Sequence, residues 1–140
     1  MTDPAAVASD LRAHLALCQE CLHLAARENQ ALLGATEASS TAAEFLELRQ
    51  ALLPRLDQSL GRLKQHRAAW QRLAPAERQR HPEVAALLRA NQDAIMKALL
   101  LERENEQARL RRGLMPPGQW PAAARQRPHF VAELYRRYSG

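Results

Sequence analysis

The sequence predicts an all-α protein: an elongated antiparallel three-helix bundle of long helices, with a Pro-rich arm and a short C-terminal fourth helix. Three observations carry that prediction. Ala, Leu, Arg, Gln and Glu dominate the 140 residues, while glycine numbers only 5 and aromatic residues make up 4%, a composition of long helices rather than sheet. Apolar residues recur in alternating steps of four and three, which keeps one stripe facing a partner helix over many turns. The segments between the periodic stretches are short, which favours antiparallel neighbours. The length fits one domain, with a bundle over 1–113, a Pro-rich linker over 114–128 and a short amphipathic helix over 129–140.

The first helix spans about residues 3–33. Thr2 or Asp3 supplies its N-cap, and Pro4 falls in the first turn, where its missing N–H costs nothing. Its seam reads Leu11, Leu15, Cys18, Leu22, Ala25, Asn29, Leu32, with Gly34 as C-cap and a small polar loop over 35–40. The second helix, about 42–73, opens on Thr41 as N-cap, and Glu44 completes a capping box. Its seam runs through Leu46, Leu53, Leu56, Leu60, Leu63 and Trp70. Pro54 removes one backbone hydrogen bond, at roughly 3 kcal/mol in a helix interior. The apolar period resumes in phase beyond it, so a kink is expected rather than a stop.

Ala74–Pro82 contains two prolines and reads as a turn or short linker. Pro82 then opens the third helix, about 82–112, with a seam of Val84, Leu88, Asn91, Ile95, Ala98 or Leu99, and Glu102. The run Leu114–Pro121 cannot be regular helix. Beyond it Val131, Leu134, Tyr135 and Tyr138 share one face of a short helix.

Net charge is +5, distributed in blocks: −4 over residues 1–54, +5 over 55–81, −2 over 82–108 and +6 over 109–140. Alternating blocks favour acidic helices packed beside basic segments and argue against one continuous nucleic-acid footprint. Arg62, Lys64, Arg67 and Arg72 read as the solvated side of the second helix. No run of about 18 apolar residues exists, and the N-terminus has neither the basic nor the apolar region of a secretory signal, so a cytoplasmic protein without membrane insertion is expected.

Little in the chain resembles catalytic machinery. There is no glycine-rich phosphate loop, no Ser/His/Asp arrangement and no His-Glu-Xaa-Xaa-His, so neither an enzyme nor a cofactor is expected. His14, Cys18 and Cys21 fall on one helical face and include two soft ligands. A fourth ligand is missing nearby and Cys18 lies in the seam, so a small hydrophobe is favoured over a metal ligand. A disulfide between cysteines at i, i+3 of a helix is also disfavoured. Glu102, Glu104 and Glu106 read as a solvated face, and Asn29, Asn91 and Asn105 as polar residues that fix register inside the bundle.

Two regions point to binding. Leu99, Leu100 and Leu101 are consecutive, more apolar surface than one seam can bury. The tail concentrates four of the six aromatic residues (Trp120, Phe130, Tyr135, Tyr138) among arginines, types enriched at protein interfaces and suited to stacking on single-stranded nucleic acid.

The run Leu22-His-Leu-Ala-Ala-Arg-Glu-Asn-Gln-Ala-Leu-Leu33, a short small-residue gap, and Phe45-Leu-Glu-Leu-Arg-Gln-Ala-Leu-Leu-Pro-Arg-Leu56 resemble the first helical hairpin of the FlgN/FliT-type flagellar export chaperones. A third long helix with a central Asn is similar to Asn91–Leu110. The resemblance covers about residues 11–112 and departs from the family pattern at Pro54, at the cysteine pair and in the Pro-rich tail. It implies a non-enzymatic cytoplasmic protein, monomer or dimer, that holds hook–filament junction or filament-cap subunits and delivers them to export gate proteins of the type III apparatus. On that basis Ile95, Leu99, Leu100 and Leu110 are expected to line a groove for an amphipathic substrate helix. Trp120, Phe130, Leu134, Tyr135 and Tyr138 are expected to dock the tail on the gate or cap the bundle itself. The alternatives are a basic helical nucleic-acid-associated regulator and an oligomeric coiled-coil adaptor.

Overall fold

The computed structural model describes residues 3–34 and 38–111, the side chains of 38–42 excepted, together with Tyr135, Arg137 and Tyr138. The chain is all-α. Its helices are α1 (Pro4–Leu33), α2 (Ala38–Arg72), α3 (Pro75–Gln79) and α4 (Pro82–Arg111). Helices of 30 residues, as α1 and α4 are, extend about 45 Å at ~1.5 Å per residue.

Local chemistry sets the helix ends. Asp3 is the N-cap of α1, and its carboxylate accepts from the Ala5 amide at 3.0 Å. Gly34 closes that helix in the right-handed region (φ −78°), donating its N–H to the Gln30 carbonyl at 3.0 Å. Its value there is therefore not access to positive φ. A Cβ at this position would lie 3.2 Å from the same Gln30 oxygen, so the tight approach favours glycine. The second helix begins at Ala38, one turn before the expected start, and runs unbroken through Pro54. The proposed cap at Thr41 falls on side chains outside those described. Within the expected linker, Pro75 at the first turn and Glu77 in it support the short helix α3.

α1 is the central element. α4 runs parallel to it, as paired positions show: Asn91 reaches the Leu11 carbonyl, Asn105 reaches the Ala25 carbonyl, and Arg109 reaches Glu28. α2 runs antiparallel to both, with Arg49 opposite Glu28, Ser59 opposite His14 and His66 opposite Asp10. α2 also packs on α1, and α2 and α4 approach each other less closely than each approaches α1. A furrow is left over α1, between its two neighbours. The main core joins Cys18, Cys21, Leu24, Phe45, Leu52, Leu56, Leu60, Ala94, Ile95 and Ala98. A second core at the other end joins Val7, Ala8, Leu11 and Val84, with Trp70 packed against it.

The seams differ from expectation in an instructive way. Along α1 the buried positions include Leu11, His14, Cys18, Cys21, Ala25, Glu28 and Leu32, so His14, Cys21 and Glu28 replace Leu15, Leu22 and Asn29. Along α2, Phe45 and Leu52 are buried while Leu46 is 46% exposed. Along α4, Ala98 takes the seam rather than Leu99, and Leu88 faces outward. On α1, His14 and Glu28 hold seam places because each has a partner on another helix.

The asparagines fix the register of α1 against α4. Asn105 is fully buried, donates to the Ala25 carbonyl at 2.9 Å and accepts from Asn29 at 3.0 Å. Asn91 donates to the Leu11 carbonyl at 3.1 Å and to the Leu87 carbonyl at 2.8 Å. Sliding α4 by one residue along α1 would break the three bonds that cross between the helices, Asn91 to Leu11, Asn105 to Ala25 and Asn29 to Asn105, and strand their donors.

Candidate functional site

The furrow over α1 holds two polar centres and an apolar stretch between them. At one end, His14 on α1 is 1% exposed, a burial that holds its imidazole well below the ordinary value, to about 4, so the ring is neutral near pH 7. Its Nδ1 lies 2.8 Å from the Ser59 hydroxyl of α2, and its Nε2 lies 2.5 Å from the Tyr135 hydroxyl. The same hydroxyl lies 3.1 Å from the Cys18 sulfur, whose longer contact to the Asn91 side-chain oxygen is 3.9 Å.

The direction of these bonds follows from Asn91. Its amide spends both hydrogens on backbone carbonyls, so its oxygen receives the Cys18 S–H. The sulfur then accepts the Tyr135 O–H, the Tyr135 oxygen accepts the His14 Nε2–H, and Nδ1 accepts the Ser59 O–H. Every hydrogen in the chain is used in this direction. Burial raises the Tyr135 phenol and both thiols, Cys21 to about 12, so no group in this cluster ionises near neutral pH. Both cysteines are free thiols.

At the other end, Glu28 of α1 meets arginines from both neighbours. Arg49 of α2 and Arg109 of α4 each pair with it, and Arg49 also donates to Glu102 of α4 at 3.2 Å. The carboxylates are nearly sealed from water, with side-chain exposures of 5% for Glu28 and 7% for Glu102. Two acids and two bases balance, so the network adds no net charge to the core. Glu102 therefore belongs to an interhelical network and not to the expected solvated face. Between the two polar ends a shallow groove is lined by Cys21, Leu24, Leu52, Leu53, Leu56 and Ala98, with Arg49 and Glu102 of the ion network also on its wall.

The tail residues that are described lie on the bundle. Tyr135, Arg137 and Tyr138 are helical, and both tyrosines pack against the main core. The Tyr138 hydroxyl donates to Asp57 at 2.7 Å, its ring lies 5.7 Å from the Lys64 ammonium, and its carbonyl accepts from Arg67 at 3.4 Å. The remaining tail candidates, Trp120, Phe130 and Leu134, lie outside the described residues, as does the Pro-rich linker.

The four expected groove residues do not share one surface. Ile95 is buried in the core and Leu99 packs against it from the side, whereas Leu100 is 58% exposed with Met96 on the outward side of α4. Leu110 is half-buried near the helix end. The wall that sequence reasoning under-weighted is α2, where Leu52, Leu53 and Leu56 face the groove. Leu53 and Leu56 were visible as seam positions, but their assignment to a groove needs the separation of α2 from α4.

Of the His14, Cys18 and Cys21 set, His14 and Cys18 are engaged by Ser59, Tyr135 and Asn91. Among the described residues no group of three or more His, Cys, Asp or Glu side chains is arranged to hold a metal ion. Among them, too, no helix is long and apolar enough to cross a membrane. The chain matches no family model, no curated protein and no solved structure.

Proposed function

We propose that this chain is a cytoplasmic chaperone of flagellar type III export, which binds late flagellar subunits by taking an amphipathic helix into the furrow between α2 and α4. One observation carries the reading: the furrow accepts helical chain, since the protein's own helical residues Tyr135 and Tyr138 pack there against the main core. An apolar floor flanked by two long walls is what helix-in-groove binding uses. The resemblance of the first hairpin to FlgN/FliT-type chaperones supplies the identity of the subunits, and the aromatic tail supplies the contact with export gate proteins. The rival nucleic-acid reading is weakened because Arg49, Arg55, Arg80 and Arg109 are tied to carboxylates.

The two sides of α4 separate in a direct test. Titration calorimetry with a late subunit should show Leu99→Asp weakening binding by about tenfold or more, because a charge would enter the edge of the furrow. Leu100→Asp, on the outward side, should bind as the parent chain does. Equal binding by both variants, each with parental helix content, would place the subunit elsewhere.

A further inference from the structure

We propose that the seat now filled by Tyr135 is a tyrosine-reading subsite, and that the helix captured from a partner protein presents a Tyr-Xaa-Xaa-Tyr pair to it. This deepens the reading given above, on which it rests, by stating what the partner helix carries.

His14 is 1% exposed and Cys18 is fully buried, yet both direct a polar atom at the same point, the Tyr135 hydroxyl, at 2.5 and 3.1 Å. Ser59 backs the imidazole from α2 at 2.8 Å and Asn91 backs the thiol from α4, so the two groups are held in place from both walls. An apolar core would have no use for this arrangement. Any helix that covers the furrow also removes water from His14 and Cys18. A leucine or phenylalanine there would leave the imidazole N–H unpaired in a sealed site, whereas a phenol fills the same space and completes both bonds. Discrimination of this kind, by a buried group that demands a hydroxyl, is strong compared with discrimination by apolar fit.

A second seat lies beside the first. Asp57 accepts the Tyr138 hydroxyl at 2.7 Å, Lys64 stands over the ring and Arg67 takes the backbone carbonyl. Seats for residues three apart match one face of a helix. The apolar groove continues along α1 from Cys21 to Leu24, so a partner helix longer than the chain's own helical residues finds further floor there. Lys64 and Arg67 on the rim suit a helix with acidic flanks.

The test uses the whole chain with Tyr135→Ala, which vacates the seat, and two synthetic amphipathic helices of leucine, alanine and glutamate. The helices are identical except that one carries Tyr-Xaa-Xaa-Tyr and the other Phe-Xaa-Xaa-Phe. The tyrosine helix is expected to bind about tenfold or more tighter, and a further His14→Phe substitution should erase most of that preference. Should the alanine variant lose helix content, Tyr135→Phe, which keeps the ring's packing, serves with the same order of affinities expected. Equal binding of the two helices would overturn this inference alone and leave helix capture standing. Binding by neither would overturn both. Reversible dimerisation of the Tyr135→Ala chain with the parent chain, blocked by neither helix, would make the occupant a second copy and overturn the partner assignment.

Discussion

Glu28→Ala is expected to cost about 4 kcal/mol of folding stability, the largest single effect foreseen for this chain. Both oxygens of Glu28 are engaged by arginines that arrive from different helices, Arg49 from α2 and Arg109 from α4. Removing the carboxylate takes away the Glu28 partner of Arg109 in a partly sealed site, where burial already lowers its affinity for the proton. Arg49 would keep Glu102, and its Nε, buried without a partner among the described residues, adds to the imbalance. Glu28→Gln keeps the shape but not the charge, so it should retain more than half of the loss. Urea unfolding followed by far-ultraviolet circular dichroism measures both. A Glu28→Ala chain within about 1 kcal/mol of the parent would show that the network contributes little beyond a surface ion pair.

Acidification should destabilise the chain through His14. The folded imidazole titrates at about 4 against an ordinary 6.5, so the unfolded chain binds a proton that the folded chain refuses between those values. The stability linked to this group is therefore complete above pH 6.5, falls as pH is lowered from 6.5 to 4, and does not change further below that. The total is about 3 kcal/mol for a sealed imidazole, reached at up to ~1.4 kcal/mol per pH unit. The chemical reason is local: a protonated ring can no longer accept the Ser59 hydrogen at Nδ1, and among the described residues both its ring nitrogens face hydroxyls and no carboxylate. Other ionisable groups also respond to pH, so the useful quantity is a difference. Denaturant midpoints of the parent and of His14→Gln, compared from pH 7 to pH 4, should converge as pH falls. Parallel curves would sink the assignment.

How far the sequence could be read depends on which residues are apolar. Leu11, Cys18, Ala25 and Leu32 were legible as seam from spacing alone, as were Leu56, Leu60, Val84 and Ile95, because apolar periodicity follows from burying one helical stripe. The same rule misplaced His14 and Glu28. It assigned their positions to Leu15 and Asn29, since an imidazole and a carboxylate belong on a surface unless a partner is known. Those partners, Ser59 and Tyr135 for His14 and Arg49 and Arg109 for Glu28, come from other parts of the chain, and no local pattern announces them. His14, Cys18 and Cys21 could be grouped by spacing, but only the hydroxyl of Tyr135, 117 positions from Cys18, shows what the group does. Of the adjacent leucines expected at the groove, Leu99 packs against the main core while Leu100 is 58% exposed, because consecutive helical residues point about 100° apart and sequence adjacency does not put them on one face.

The asparagines are the instructive exception among polar residues. Their recurrence at seam spacing predicted internal hydrogen bonds, and Asn29, Asn91 and Asn105 make them. A short amide in an otherwise apolar stripe carries its own signal, because it can reach a backbone carbonyl on whichever helix lies opposite. A buried glutamate gives no such hint.

The most direct measurement of the central claim is light scattering on size-exclusion eluates of the purified chain mixed with purified hook–filament junction and filament-cap subunits in turn. The account predicts one discrete complex with a late subunit, preserved in Leu100→Asp and lost in Leu99→Asp. Separate elution of every subunit from a fully helical chain, or a complex indifferent to Leu99→Asp, would contradict it.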